Sequence, residues 1–247
     1  MQPTSPHPLG TPARALARTL AMLLALTVAA VAGAQQPSVD TVLGNIENAA
    51  NAIKDATFTV TGKLVDSDGT VIPLNVDIQA IPPKHIASAY INQPDALADN
   101  QIVLDGNVVK NYTFLTNQIT LFDANDPDAL GGLLPAGTNG QSSPVVSFDL
   151  KKIFEGYDAS IQDVKTENGK KTYILAFKNK DPKANILDVT ATVPASDWLP
   201  RELVFKQKDG KVVADLKVNG LKLDQGLDPK KVTYLPQDAQ VIDNRKK

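Results

Sequence analysis

The sequence predicts a mainly β (α+β) fold: one N-terminal helix, then about ten antiparallel strands, with a short helical insertion midway. Three observations predict it. Early in the chain, apolar residues recur at spacings of three and four. From Ala56 they recur at every second position instead. The alternating runs are joined by short Asp-Gly and Asn-Gly turns, the signature of an antiparallel meander. With 247 residues, 43% hydrophobic and 21% charged, the chain has the composition of a folded globular protein. No long Gly-Ser linker divides it, so residues 35–247 are expected to form a single domain.

Residues 1–34 read as a cleaved signal peptide. Arg14 and Arg18 supply a positive n-region, Leu20 to Ala32 is an apolar run, and Ala32-Gly33-Ala34 is a small-x-small cleavage site. The run is short for a membrane span, which needs about 20 apolar residues. No cysteine follows it, which excludes lipid modification at that point. The expected destination is the periplasm, or otherwise the bacterial cell envelope.

Ser38 is placed to cap a helix. Val39, Val42, Leu43, Ile46, Ala49, Ala50 and Ile53 make one apolar stripe over about four turns. Phe58, Val60, Gly62 and Leu64 then alternate with Thr57, Thr59, Thr61 and Lys63. After a turn over 66–69, Ile72, Leu74, Val76 and Ile78 alternate with Pro73, Asn75, Asp77 and Gln79. This is a hairpin with one apolar and one wet face, and Pro73 requires an edge or a bulge. Further strands are predicted over 85–91, 101–104, 107–115 and 118–122. Residues 123–157 break the pattern, with Gly131-Gly132, a Gly- and Ser-rich stretch, and a helical segment from Val145 to Tyr157. Alternation resumes over 160–165 and places Tyr173, Leu175 and Phe177 on one face. Leu187 to Val193, Leu203 to Phe205 and Val212 to Val218 repeat it.

Several chemistries are excluded. Without cysteine there are no disulfides, thiolate metal sites or cysteine nucleophiles. Of the two histidines only His85 survives cleavage, so a zinc site or a histidine triad would rest on one imidazole. A formal net charge of −2 offers no basic field for nucleic acid. Acidic residues such as Asp66, Asp68, Asp105 and Asp209 sit at turns, where they have a structural use. Asp123 to Asp128 fails as a calcium loop, because Asp128 occupies the position that needs glycine. Asn111-Tyr112-Thr113 is a glycosylation sequon, but inside a strand pattern. Lys170, Lys171, Lys178, Lys180 and Lys183 surround one predicted hairpin and read as a solvated edge, with contact to anionic headgroups as the alternative. No catalytic residue, metal or cofactor is expected, and the chain reads as a non-enzyme.

A sheet of this size has a large apolar face and little helix to cover it. The face is either closed on itself as a packed core or left partly hollow for an apolar guest. Two segments bear on that choice. Ile81-Pro82-Pro83-Lys84-His85 leads through Asn92-Gln93-Pro94-Asp95 to Val103-Leu104-Asp105-Gly106-Asn107, Tyr112 and Gln118. Leu199-Pro200-Arg201-Glu202-Leu203 leads through Asp209-Gly210, Leu216, Asn219, Leu227-Asp228 and Pro236 to Val241-Ile242-Asp243. In order and spacing, with the helix before them, they resemble the LolA family, the periplasmic carriers of bacterial lipoproteins. The resemblance spans residues 38–243.

It implies an unclosed, curved antiparallel β-barrel, with the N-terminal helix and the short helical insertion as its lid. The apolar inner face would hold acyl chains, received from a membrane-bound donor protein and passed to an acceptor. Pro82 stands where the family has an arginine that hydrogen-bonds the lid helices. The expected protein is an exported, monomeric carrier or chaperone for a lipid or lipoprotein. Its expected acyl-chain wall is Phe58, Val60, Leu64, Ile72, Leu74, Val76, Ile78, Leu175 and Phe177. The alternative is an envelope sensor or scaffold of the same fold that binds a protein partner.

Overall fold

A computed structural model describes residues 36–66, 68–126, 129 and 148–245. The predicted signal peptide lies outside the described residues. Helix α1, Val39–Ala52, starts at Ser38, whose hydroxyl accepts the Thr41 N–H at 3.2 Å. It buries Val42, Ile46 and Ala50, every fourth residue of the apolar stripe. Six strands follow: β1 Ala56–Val65, β2 Val71–Ile81, β3 Ile86–Gln93, β4 Gln101–Asp105, β5 Val108–Thr113 and β6 Gln118–Asp123. After helix α2, Leu150–Ile153, come β7 Tyr157–Glu167, β8 Lys170–Asn179, β9 Ile186–Pro194, β10 Glu202–Gln207 and β11 Val212–Leu223. The chain ends with helix α3, Pro229–Val232, and β12 Gln240–Asp243.

All twelve strands form one sheet in the order β12-β6-β5-β4-β3-β2-β1-β11-β10-β9-β8-β7. Every neighbouring pair is antiparallel except β12, which runs parallel to β6. The outermost strands, β12 and β7, do not pair with each other, so the sheet is open, as expected. Two meanders therefore spread in opposite directions from the central β1–β11 pair.

The register carries one apolar face across the sheet. On β1 and β2, Phe58 lies opposite Ile78, Val60 opposite Val76 and Leu64 opposite Ile72. The same face continues through Ala89 on β3, Ile102 and Leu104 on β4, Val109 on β5 and Phe122 on β6. In the other direction it runs through Leu216, Leu203, Ala191 and Leu175 on β11 to β8. This is the inner face. Thr57, Thr59, Thr61 and Lys63 point to the outer one, as their alternation predicts.

Three predicted features differ. Strand β12 was not anticipated, because its four residues are all exposed and show no alternation. Helix α2 is confined to Leu150–Ile153: Asp149 caps it through the Lys151 and Lys152 N–H groups, and Tyr157 already belongs to β7. Residues 145–147 lie outside the described residues. The lysines do not surround one hairpin. Lys170 and Lys171 open β8, whereas Lys178 ends it and Lys180 and Lys183 follow. At ~3.3 Å per residue, the two groups stand about 25–30 Å apart. Pro73 keeps its predicted place: β3 pairs with β2 from Asn75 onward, so Pro73 sits on a stretch of β2 that β3 does not reach.

The inner face has two main clusters. Under α1 and α2, Val42, Ile46, Leu150 and Phe154 pack on Tyr173, Leu175, Phe177, Val189, Ala191, Val193 and Phe205. Phe154 and Phe177 have ring centroids 4.6 Å apart. On the other half of the sheet, Leu74, Val76, Ile78, Ala89, Ile91, Ile102 and Val109 gather, with Ala129 buried among them. Where α1 ends, Ile53, Ala56 and Leu199 bridge to Phe58 and Phe148, whose rings are 5.1 Å apart.

A second device holds the chain from outside. Between α1 and β1, the Asp55 carboxylate is 6% exposed and accepts backbone N–H groups from Gln225 (2.7 Å), Gly226 (2.9 Å) and Leu227 (3.3 Å). Asp224 answers it: its carboxylate accepts the Lys54 N–H at 2.9 Å, and its own N–H donates to the Asp55 carbonyl. From this knot the C-terminal segment crosses the outer face. Its helix α3 packs on β2 and β3, Val232 is buried there, and β12 then joins β6.

Two predictions test these contacts. At Gly62, a Cβ would stand 2.0 Å from the Asp215 carbonyl oxygen on β11. Gly62→Ala must therefore part the central strand pair, and a loss of about 3 kcal/mol in urea unfolding is expected; a loss below ~0.5 kcal/mol would refute the close approach. Asp55→Ala strands the three N–H groups that Asp55 now binds, at an expected cost of about 2–3 kcal/mol. Hydrogen exchange should speed up over 224–243 before it does in β8 and β9, and uniform exchange would argue against a local strap.

Candidate functional site

The two halves of the inner face differ in what covers them. Beneath α1 and α2 the apolar side chains of β8 and β9 are sealed: Leu175 is 0% exposed and Phe177 2%. On the β1–β6 half the deep positions Leu74, Val76 and Ile78 are buried, but Phe58, Val60, Leu64, Ile72, Leu104 and Phe122 remain half-buried. They form an apolar wall with its lining incompletely covered. This wall is the candidate site.

Strand alternation builds it. Every second residue of β1 and β2 turns inward, and antiparallel pairing sets those residues directly opposite one another. Alanines at 80, 87 and 89 line part of β2 and β3 and are themselves buried. The inner face of β1 to β6 carries no titratable side chain between the strand ends. It can desolvate an apolar guest.

The groups with shifted titration lie elsewhere. Burial raises the Tyr157 phenol on the covered half, opposed by a hydrogen bond with the Asn179 side chain. A hydrogen bond with the Asp99 carboxylate raises Tyr90, on the outer face. His85 is exposed, in a left-handed turn after β2. Among the described residues, no group of three His, Cys, Asp or Glu side chains is arranged to hold a metal ion. A shallow cleft between the β8–β9 and β10–β11 turns is lined by Pro182, Lys183, Asn185, Lys208 and Asp209, and has no part in the wall.

The predicted wall residues are divided by this geometry. Phe58, Val60, Leu74, Val76 and Ile78 meet in the β1–β6 cluster. Leu64 packs against the cluster beneath the helices, and Leu175 and Phe177 are members of that cluster. Ile72 stands opposite Leu64 at the far end of the hairpin. Sequence reasoning missed Ile91, Ile102, Leu104, Val109 and Phe122, which continue the wall. Their signal was present in the same alternation, carried through the Asp105-Gly106 turn. It also missed Asn111 and Thr120, polar side chains facing inward on β5 and β6.

No family model matches the chain, and no curated protein matches it in sequence. Solved structures do. The fold is similar to that of an uncharacterized conserved protein from Thermus thermophilus, at 20% identity and a TM-score of 0.57, over 83% of this chain and 98% of that one. A LolA superfamily protein from Nitrosomonas europaea aligns at 12% identity and a TM-score of 0.41, over 81% of this chain and 99% of that one. The MucA/MucB complex of Pseudomonas aeruginosa aligns at 12% identity and a TM-score of 0.46, over 82% of this chain and 62% of that one. The similarity to the Thermus thermophilus structure, at 20% identity, extends to the fold alone.

Proposed function

We propose that this is an exported, non-enzymatic carrier that shelters the acyl chains of a lipid or lipoprotein against the inner wall of β1 to β6. One observation carries the reading: a continuous apolar wall, free of titratable groups, whose deep side chains are buried while Phe58, Val60, Leu64, Ile72, Leu104 and Phe122 stay half-buried. Each CH₂ removed from water contributes ~0.8 kcal/mol, so a long acyl chain has ample driving force without any specific contact. Helices α1 and α2 cover the other half of the sheet and leave this wall to the cargo. The carrier works as a monomer between a donor and an acceptor in the bacterial envelope. Signal-peptide cleavage after Ala34 delivers it there.

The test is native mass spectrometry of residues 35–247, with lipid extraction of the same sample. The expected result is a stoichiometric acyl-chain ligand, or uptake of added phospholipid or lipopeptide. A clean apo mass with no uptake overturns the reading. If that apo protein retained an envelope protein, the scaffold alternative would replace it. Val60→Asp places a charge on the half-buried wall and should lower uptake at least tenfold while circular dichroism stays unchanged. Unchanged uptake by the folded variant would remove Val60 from the wall.

A further inference from the structure

The inner face is apolar from β3 to β11 except at strand ends and at Gly62, which has no side chain. On β5 and β6 it is not. Asn111 lies opposite Ile102 on β4 and opposite Thr120 on β6, so its side chain points to the same side as the wall. Its neighbour along the strand on that face is Val109, a member of the wall cluster. The Asn111 Oδ1 is sealed from solvent and has no hydrogen-bond partner, so the Thr120 hydroxyl beside it does not satisfy it. A sealed acceptor without a donor is unfavourable, and native proteins seldom keep one without a use. Leucine has the same branched shape, with methyl groups in place of the amide oxygen and nitrogen, and would suit this apolar face better. Nor does Asn111 serve as a glycan site, although it opens a sequon, because its side chain faces inward.

We infer that Asn111, with Thr120 beside it, is the point where the cargo is read: the incoming acyl chain parts the side chains that now close over Asn111, and an O–H or N–H donor next to that chain bonds the Asn111 carbonyl oxygen. The inference rests on the carrier reading and adds a ligand class to it. A plain hydrocarbon or fully esterified chain fills the wall and leaves Asn111 unpaired. A lipid with a free hydroxyl or an amide-linked chain fills the wall and satisfies it. Asn111 is thus a specificity-determining residue, and the apolar side chains supply the affinity.

Three probes with one sixteen-carbon chain test this: methyl palmitate has no donor, N-methylpalmitamide has an N–H, and monopalmitoylglycerol has hydroxyls. Their dissociation constants are measured for the mature wild-type protein and for Asn111→Leu. The wild type should bind at least one donor probe about five- to tenfold more tightly than the ester, and which one identifies the donor as amide or hydroxyl. In Asn111→Leu that ratio should fall to about one, with ester binding kept or improved. Thermal stability of the empty variant should hold or rise, because a sealed unpaired acceptor is gone. Equal binding of all three probes by the wild type, an unchanged ratio in Asn111→Leu, or a clear fall in its melting temperature would each overturn the inference and leave the carrier reading standing. Failure of the wild type to take up any of the probes would overturn both.

Discussion

Everything in this fold answers to one constraint: a single open sheet of twelve strands must cover an apolar face that runs unbroken across its central strands. Sheets twist, and a sheet this broad curls toward its apolar side. Curling alone does not exclude water from the middle. Helix α1 does so for one half, by laying Val42 and Ile46 on β8 and β9 and ending on Ile53 and Leu199. Helix α2 adds Leu150 and Phe154. The stripe on α1 is only as wide as one helix, so it can seal only part of the sheet. The half-buried wall of β1 to β6 follows from that shortage of cover.

The half that α1 leaves open is braced from behind. Asp55 gathers three backbone N–H groups of residues 225–227, and the strap that starts there passes over β2 and β3. A carboxylate is suited to this because charge-assisted bonds are stronger than neutral ones and it can accept several at once. The strap then lays β12 along β6 and blunts what would be an exposed edge. Among the described residues, no strand pairs with the outer side of the other edge, β7. It carries a bulge between Ile161 and Asp163 and a row of charged residues, which resist pairing with another chain.

Much of this was legible in the sequence. The switch from helical spacing to alternation at Ala56 marks the start of β1 to the residue, with α1 ending at Ala52 and Ile53, the last of the stripe, as its cap. Alternation assigned Phe58 to Leu64 and Ile72 to Ile78 to one face, and the register agrees. What alternation cannot convey is what lies above that face. Leu175 and Val60 have the same pattern around them, yet the first is fully buried in the cluster that α1 joins and the second stays half-buried. That difference depends on where a helix distant in sequence comes to rest. The Asp55 knot was invisible for the same reason, since its partners are some 170 residues away. Strand β12 was missed because an exposed edge needs no alternation, and helix α2 was overextended because Tyr157 serves a strand and not a helix.

A wall of aliphatic side chains binds by area, and area distinguishes chain lengths poorly and head groups not at all. A carrier built only in this way would load with whatever apolar material was most abundant. Selectivity then has to come from a few inward polar positions, because leaving a buried polar group unpaired separates ligands that an apolar surface treats alike. On this face those positions are Asn111 and Thr120, on β5 and β6 next to the β12 edge. The arrangement separates two tasks. Helices and aliphatic rows determine how strongly a chain is held, and a polar pair near one edge determines which chain is worth holding.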